Sequence, residues 1–357
     1  MTELQQQGLA PSVEDGTITF RLRDPDKELK AVRLYQEIVR PRSGPPFDWA
    51  DGVWVTEFPL PEADRMEYLI EIFRDRSQEM VTDPNNPERA PGPFGDKSVI
   101  TFGGYQPPAW LTTEAPPGTR STLSVRSRPL RTRLEVELWS PPGSETDEPL
   151  PLLVAHDGPE YDRYSSLTTF LAAAISEGRV PRARAALVPP HDRNQTYSAS
   201  AAYARTFAHD ILPAILADAP TPHGRKMRIG MGASLGGLSM LNIHRRSPAA
   251  FGGLFLQSGS YFRQRYDAQE SGFERFRRIS RFMGEVLTAE VWAHPVPVTM
   301  TCGRVEENLA NNRATCLALS RQGYDIRLVE NRDAHNWIAW RDTLDPHLSE
   351  LMNKVWG

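Results

Sequence analysis

A serine lies between two glycines in the segment Gly232-Ala233-Ser234-Leu235-Gly236, which follows the apolar run MRIGM and precedes a stretch with helical periodicity. A G-x-S-x-G motif between a strand and a helix predicts a sharp turn, because the two glycines allow the strand and the helix to approach closely. The turn exposes the serine hydroxyl above a helix N-terminus, which favours developing negative charge. We therefore interpret Ser234 as a nucleophile for acyl transfer.

A serine hydroxyl is a weak nucleophile until a base takes its proton, and after an elbow of this kind the acid and then the histidine follow along the chain. His335 lies in NRDAHNW, a predicted loop between the strand-like run IRLVE and a helix, at the edge where catalytic loops of open α/β sheets gather. We predict that His335 is the base. The other seven histidines precede Ser234, lie on predicted helices or come before the last strands: His156, His191, His209, His223, His244, His294 and His347.

The carboxylate that orients the histidine is expected in the loop after the preceding strand. The run PVTMTC is followed by a loop that contains Glu306 and Glu307, while Asp333 lies two residues before the histidine. Such a carboxylate holds the imidazole tautomer and stabilises the imidazolium. The residues alone leave these three candidates open, with Asp333 the weakest.

An oxyanion hole requires two backbone donors. We expect the N–H of Leu235, directly after the nucleophile, and a second N–H from the loop after PLLVAHD, from Asp157 or Gly158.

The pattern of apolar runs changes along the chain and predicts two domains. Short runs separated by Pro, Gly and Asp up to about residue 105 predict an all-β, Ig-like sandwich in residues 1–108. The proline-rich stretch 109–120 is a predicted linker. Alternating strands and helices in residues 121–357 predict an α/β-hydrolase domain with a mostly parallel sheet covered on both faces.

Composition excludes several classes of function. The net charge is −4, and the basic residues are scattered, so we expect no nucleic-acid partner. No apolar stretch is long enough to span a membrane, and the start of the chain does not resemble a secretory signal, which predicts a cytoplasmic protein without a membrane partner. Because the cytoplasm is reducing, we expect Cys302 and Cys316 to be free thiols. No cluster has metal-ligand spacing, so we predict no metal site and no cofactor. The oligomeric state is not readable from the sequence.

The arrangement resembles the enterochelin (ferric enterobactin) esterase family over nearly the whole chain. The family joins a sandwich that ends in a DP-x-NP loop, like DPNNP at residues 83–87, to an esterase-D-like hydrolase domain. LLVAHDG, GASLGG with QSGSYF, CGRVEEN and HNW resemble the oxyanion strand, the elbow, the acid loop and the His-x-Trp ending of that family. The resemblance to its Cys-Gly-x-x-acid stretch favours Glu306 over Glu307.

The resemblance implies a small-molecule substrate, a ferric catecholate trilactone siderophore whose esters are hydrolysed to release iron in the cell. The family's Arg and the Glu three residues later correspond to Arg193 and Thr196, so the second position departs from the pattern. An arginine suits an anionic catecholate, and we predict Arg193 as a substrate contact. Trp337, from the His-x-Trp ending, and Arg304 are further predicted contacts.

Two other readings remain open. Another esterase-D-like carboxylesterase, such as a feruloyl or acetyl esterase, would use the same serine on a different ester. A non-catalytic siderophore-binding protein would keep the scaffold without cleavage, because fold alone does not imply catalysis.

Overall fold

The computed structural model describes residues 8–357, which form two compact units. One unit holds the residues up to Gln106 together with two short loops, Gly303–Glu307 and Arg332–Asn336. The second unit holds Pro107–Cys302, Asn308–Asn331 and Trp337–Gly357. Two loops from the second half of the chain thus cluster with the N-terminal residues, and the predicted boundaries at residues 1–108, 109–120 and 121–357 stay predictions.

The N-terminal unit is a β-sandwich of two antiparallel sheets, with strand orders β1-β2-β6-β5 and β4-β3-β7-β10-β9, and with β8 paired to β7. The strands are β1 (Ser12–Glu14), β2 (Thr17–Arg23), β3 (Ala31–Gln36), β4 (Ser43–Pro46), β5 (Asp48–Ala50), β6 (Val53–Pro59), β7 (Arg65–Phe73), β8 (Gln78–Val81), β9 (Arg89–Ala90) and β10 (Lys97–Thr101).

The sandwich is held together by alternation along its strands. In β2 the side chains of Ile18 and Phe20 are fully buried and their neighbours are less so, as expected where one face of a strand meets the core. They pack in one cluster with Leu34, Tyr68 and Ile70 from the other sheet. The predicted all-β sandwich is thus confirmed.

The second unit contains an eight-stranded sheet with the order β11-β12-β14-β13-β15-β16-β17-β18. Strand β12 pairs antiparallel with both of its neighbours, β11 and β14. From β14 onward the strands pair parallel as far as β17, in the order β14, β13, β15, β16 and β17. The strands are β11 (Thr119–Ser127), β12 (Thr132–Ser140), β13 (Leu152–His156), β14 (Arg184–Val188), β15 (Arg228–Ala233), β16 (Gly253–Gln257), β17 (Val298–Gly303) and β18 (Ile326–Asn331). The predicted α/β-hydrolase fold with a mostly parallel sheet is confirmed.

Helices alternate with these strands. They are α1 (Gly158–Ser165), α2 (Leu167–Ser176), α3 (Arg193–Thr196), α4 (Ala201–Thr206), α5 (Leu212–Asp218), α6 (Leu235–Arg246), α7 (Phe276–Thr288), α8 (Leu309–Arg321), α9 (Trp337–Asp342) and α10 (His347–Trp356), with a π-helical turn at Phe207–Ile211 between α4 and α5.

The central sheet is buried on both faces. Successive residues of β13 enter opposite clusters: Leu152 and Val154 pack on one side, and Leu153 and Ala155 on the other. A strand covered on both faces appears in sequence as a continuous apolar run, which explains LLVA. The order reverses at β13, since β14 lies on one side of it and β15 on the other. In open α/β sheets, ligands bind at the carboxyl ends of the strands at such a switch point.

The predicted linker is partly structured. A short 3-10 turn covers Ala109–Thr112, and Trp110 within it is 3% exposed and packs edge-on against Phe170, with ring centroids 5.4 Å apart. Burying an aromatic side chain is strongly favourable, so this stretch belongs to the core of the second unit. Within residues 8–357, no helix has the length and apolar character needed to cross a membrane.

Candidate active site

Ser234 lies on the turn between β15 and α6 and has an unusual backbone conformation, with φ 55° and ψ −122°. Non-glycine residues rarely adopt such angles, and the surrounding structure must impose them. Gly232 makes this possible, because a Cβ atom there would lie 2.5 Å from the backbone carbon of Gly236. The two glycines of the motif thus allow the close approach of strand and helix that the sequence predicts.

Ser260 contacts the serine side chain and was not predicted from the sequence. The Oγ atoms of Ser234 and Ser260 are 3.1 Å apart, and the N–H of Ser260 donates to the carbonyl of Ser234 at 3.1 Å. Ser260 is 3% exposed. Its signal was its position three residues after the end of β16, the strand next to the elbow, within the QSGSYF segment.

The predicted oxyanion donors occupy helix starts. Leu235 and Gly158 are the first residues of α6 and α1, where backbone N–H groups have no intrahelical acceptor. Asp157 adopts a left-handed conformation with φ 50°, and its N–H donates to Tyr197 Oη at 3.4 Å. The geometry therefore favours the N–H of Gly158 over that of Asp157.

His156 lies buried beneath this loop. Its ring stacks on Tyr197 with centroids 4.3 Å apart, and its Nε2 is 3.0 Å from Tyr203 Oη. Burial lowers the pKa of His156 to about 3, so the ring is neutral near pH 7. A Cβ on Gly236 would lie 3.5 Å from the Cβ of His156, which places the ring next to the start of α6. We interpret His156 as packing support for the loop.

Arg193 binds Asp157. The guanidinium Nε donates to Asp157 Oδ1 at 2.9 Å and Nη2 donates to Oδ2 at 2.8 Å. The Asp157 side chain is 3% exposed and that of Arg193 is 36% exposed. Burial would lower the pKa of Arg193, but the carboxylate of Asp157 outweighs it and raises that pKa. The contact of Arg193 with substrate stays a prediction.

The structure brings His335 and Glu306 together in the unit that contains the sandwich. His335 Nδ1 and Glu306 Oε2 are 2.8 Å apart, and the other carboxylate oxygen accepts from the N–H of Gly303 at 2.7 Å. The Glu306 side chain is 1% exposed and that of His335 is 30% exposed. A buried carboxylate with both oxygens engaged can fix the orientation and tautomer of the ring.

The two competing carboxylates have other partners. Glu307 forms ion pairs with Arg40 and Arg42, with N–O distances of 2.6 Å to each. Asp333 is buried and binds Arg65 at 3.3 Å.

The remaining predicted contacts lie in different surroundings. Trp337 is partly buried among aromatic rings and packs edge-on against Trp340 and Tyr161, with centroids 4.8 and 5.3 Å away. Arg304 is exposed on the loop after β17. Their substrate contacts stay predictions. In the part of the chain from residue 8 onward, no three His, Cys, Asp or Glu side chains gather as a metal site.

Each unit therefore holds side chains of a kind that acyl-transfer chemistry uses. The second unit holds a serine on a strained turn beside helix N–H groups, and the first holds a histidine bound to a buried carboxylate. Nucleophile, base, orienting acid and oxyanion donors are the groups that ester cleavage through an acyl-enzyme requires.

A family model described as "Putative esterase" matches residues 127–351, which is more than half of the chain. The chain belongs to the Esterase family. It is therefore an ester-hydrolysing enzyme.

Two curated relatives, the iron(III) enterobactin esterases of Escherichia coli O6:H1 and Escherichia coli K12, are 25% and 24% identical over 300 residues, which cover 82% of this chain and 72% of each relative. The predicted resemblance to enterochelin esterases is confirmed.

Solved structures show the same fold for this esterase. The enterobactin esterase of Shigella flexneri, crystallised in the presence of enterobactin, is 21% identical with a TM-score of 0.77 and covers 99% of this chain and 98% of its own. The ferric enterobactin esterase of Salmonella typhimurium is 20% identical with a TM-score of 0.79, and the match covers 99% of both chains. A ferulic acid esterase is 14% identical with a TM-score of 0.56, and covers 67% of this chain and 99% of its own.

Proposed function

We propose that this esterase hydrolyses the ester bonds of a ferric catecholate trilactone siderophore of the enterobactin type and releases the iron in the cytoplasm. The observation that carries the proposal is the extent of the likeness. Enterobactin esterases match 99% of the chain, sandwich included, whereas the ferulic acid esterase matches 67% of it. A shared N-terminal unit is expected where the function is shared.

In the proposed mechanism, Ser234 Oγ attacks the ester carbonyl while His335 takes its proton. Glu306 holds Nδ1 of the ring, with the 2.8 Å contact described above, and stabilises the imidazolium that forms. The N–H groups of Leu235 and Gly158 donate to the tetrahedral oxyanion. The ester C–O bond then breaks, His335 gives the proton to the leaving alkoxide oxygen, which becomes a hydroxyl, and the acyl group stays on Ser234.

Water completes the cycle. His335 takes a proton from a water molecule, whose oxygen attacks the acyl-enzyme, and Ser234 leaves with its proton restored. Cleavage of one ester opens the trilactone ring to a linear product, and further rounds give catechol-amino acid pieces. Arg193, Arg304 and Trp337 are the proposed contacts with the anionic, aromatic substrate.

The test compares three substrates with purified protein: a ferric enterobactin-type trilactone, a p-nitrophenyl ester and methyl ferulate. Products are followed by mass spectrometry, with Ser234→Ala as the control that removes only the nucleophilic oxygen. We expect serine-dependent release of linear catechol-amino acid products, and kcat/KM highest for the trilactone.

Other outcomes identify the competing functions. Turnover of methyl ferulate without turnover of the trilactone would favour a feruloyl esterase, the candidate that the shared hydrolase fold also supports. Tight binding of the ferric trilactone without turnover of any ester would indicate a binding protein.

A further inference from the structure

The loops that carry Glu306 and His335 are held by the N-terminal sandwich. The segment Gly303–Glu307 begins with the last residue of β17 and forms the loop after it. The segment Arg332–Asn336 directly follows β18. Both segments nevertheless form one compact unit with the residues up to Gln106. The sandwich side chains that contact them have no part in the mechanism above, so their role needs a separate explanation.

Arg65, the first residue of β7, makes the most deeply buried of these contacts. Its side chain is 3% exposed, and its Nη1 donates to Asn336 Oδ1 at 2.9 Å and to Asp333 Oδ2 at 3.3 Å. Asp333 Oδ1 in turn accepts from the N–H of Ala334 at 2.7 Å and from Asn336 Nδ2 at 2.9 Å. One guanidinium therefore binds the loop on both sides of His335.

The start of the same loop is anchored next to Arg65. The N–H of Asp64 donates to the carbonyl of Arg332 at 2.7 Å, and Arg332 Nε donates to Asp64 Oδ1 at 2.7 Å. The acid loop touches this loop directly, because a Cβ on Gly303 would lie 2.0 Å from the carbonyl oxygen of Asp333. Only glycine fits there, so the position of one loop determines that of the other.

The acid loop has its own anchor on the sandwich. Arg40 and Arg42, between β3 and β4, each bind Glu307, the residue next to Glu306. Their side chains are 47% and 35% exposed, so we expect each pair to contribute little to stability. The buried contact of Arg65 is the dominant anchor.

We propose that Arg65 is a positioning residue of the reaction, which holds the loop 332–336 so that His335 keeps its hydrogen bond to Glu306. The role of His335 in this inference rests on the function proposed above. Arg65 acts through Asp333 and Asn336, whose hydrogen bonds set the course of the backbone on either side of His335. A misplacement of a catalytic group by about 1 Å can cost about 100-fold in rate.

The experiment separates positioning from stability with two variants. Arg65→Met removes the charge at similar length and takes the guanidinium away from two buried carboxylates, Asp333 and Glu67, the second of which lies 2.9 Å from Nη2, and this destabilises the fold. Arg65→Met combined with Asp333→Asn removes the charge at position 333 as well, so we expect Tm to recover in part. If Arg65 positions the loop, kcat stays about 100-fold below the parent in both variants, with KM changed less than about 3-fold.

The matched control is Ile70→Ala on the same strand, a fully buried core side chain of the sandwich. It lowers Tm through a cavity and leaves the contacts of Arg65 intact, so kcat at a temperature where the protein is folded should equal that of the parent. Recovery of kcat together with Tm in the double variant would show that Arg65 acts only through stability, and would overturn the proposal. The double variant also serves where Arg65→Met alone does not fold.

A second measurement does not depend on any substrate. A histidine N–H bound to a carboxylate gives a far-downfield proton resonance, and for His335 this signal is assigned by its loss in His335→Gln. We expect the signal in the parent and in Ile70→Ala, and its loss in both Arg65 variants. Retention in the Arg65 variants, or absence from the parent, overturns the proposal. If the parent hydrolyses no ester but shows the signal, and the Arg65 variants lack it, the proposed function is refuted while the positioning role is supported.

Discussion

Arg193 binds Asp157 through two parallel hydrogen bonds of 2.8 and 2.9 Å, and Asp157 directly precedes Gly158 at the start of α1. A planar guanidinium matches a carboxylate in this geometry and fixes its orientation. Arg193 is thus engaged with the protein itself, at the loop that carries a proposed oxyanion donor. From this pairing we infer a second role for Arg193, in holding the oxyanion loop, beside the substrate contact that the sequence predicts.

Replacing Arg193 with Ala should lower kcat by about 10-fold or more for a p-nitrophenyl ester and for a ferric catecholate alike, because one lost oxyanion donor costs about 100- to 1,000-fold and a displaced one costs less. The loss of stability should be about 1–3 kcal/mol, since Asp157 is left buried without its partner while Arg193 is 36% exposed. Steady-state kinetics and thermal unfolding provide the two measurements.

Arg205→Ala is the control for this substitution, because Arg205 is an exposed arginine on α4, whereas the ion pair with Asp157 is made by Arg193. It should match the parent with both substrates. A rise in KM for the ferric catecholate alone, with the nitrophenyl ester unaffected, would assign Arg193 to substrate recognition and contradict the role at the oxyanion loop.

More of the fold than of the candidate site could be predicted from the sequence. Alternating runs predicted both domains and the strand before the elbow, because each strand and its burial leave a local pattern. Helices α1 and α2 were not predicted. The segment LTTFLAAAI in α2 is buried on nearly every side, so it lacks the polar face that makes a helix recognisable.

The ion pairs around the candidate site could not be predicted from the sequence, for a different reason. Glu307 is a neighbour of Glu306, and its partners Arg40 and Arg42 lie more than 260 residues earlier in the chain. Likewise, Arg65 and Asp333 are 268 residues apart. Such pairings follow from tertiary structure, and no local spacing encodes them.

The acid dependence of stability offers a test of the buried histidines. Burial lowers the pKa of His244 to about 3, and its Nε2 is 3.1 Å from Tyr324 Oη. As pH falls below the usual 6.5, the unfolded chain binds a proton that the folded chain does not bind. Stability should therefore fall by about 1.4 kcal/mol per pH unit for each such histidine, until the folded-state pKa is reached.

His244→Gln should remove this contribution, so its urea midpoints, followed by tryptophan fluorescence between pH 4 and pH 7, should depend less steeply on pH than those of the parent. Asp333 acts in the opposite direction, because burial raises its pKa to about 6 although Arg65 opposes the shift. Its contribution is full below 3.8 and is lost as the pH rises to about 6. His223→Gln, at an exposed loop position, is the control and should keep the parental slope. An unchanged slope in His244→Gln would show that this histidine is protonated in the folded state.

The closeness of strand and helix at the nucleophile predicts opposite effects for two Gly-to-Ala changes. Gly232→Ala places a Cβ 2.5 Å from the backbone of Gly236, so the elbow must open and the serine must move. We expect Ser234 to lose most of its reactivity toward a fluorophosphonate probe, together with a fall in Tm, because the clash is with backbone rather than a flexible side chain.

Gly284→Ala is the matched change in the interior of α7, where an added Cβ would meet no atom within 4 Å. Since alanine is the better helix former, this variant should gain about 0.5–1 kcal/mol of stability and keep the labelling rate of the parent. If Gly232→Ala labelled as fast as Gly284→Ala, the elbow would tolerate a wider separation of β15 and α6, and the strained turn at Ser234 could not be the source of the serine's exposure.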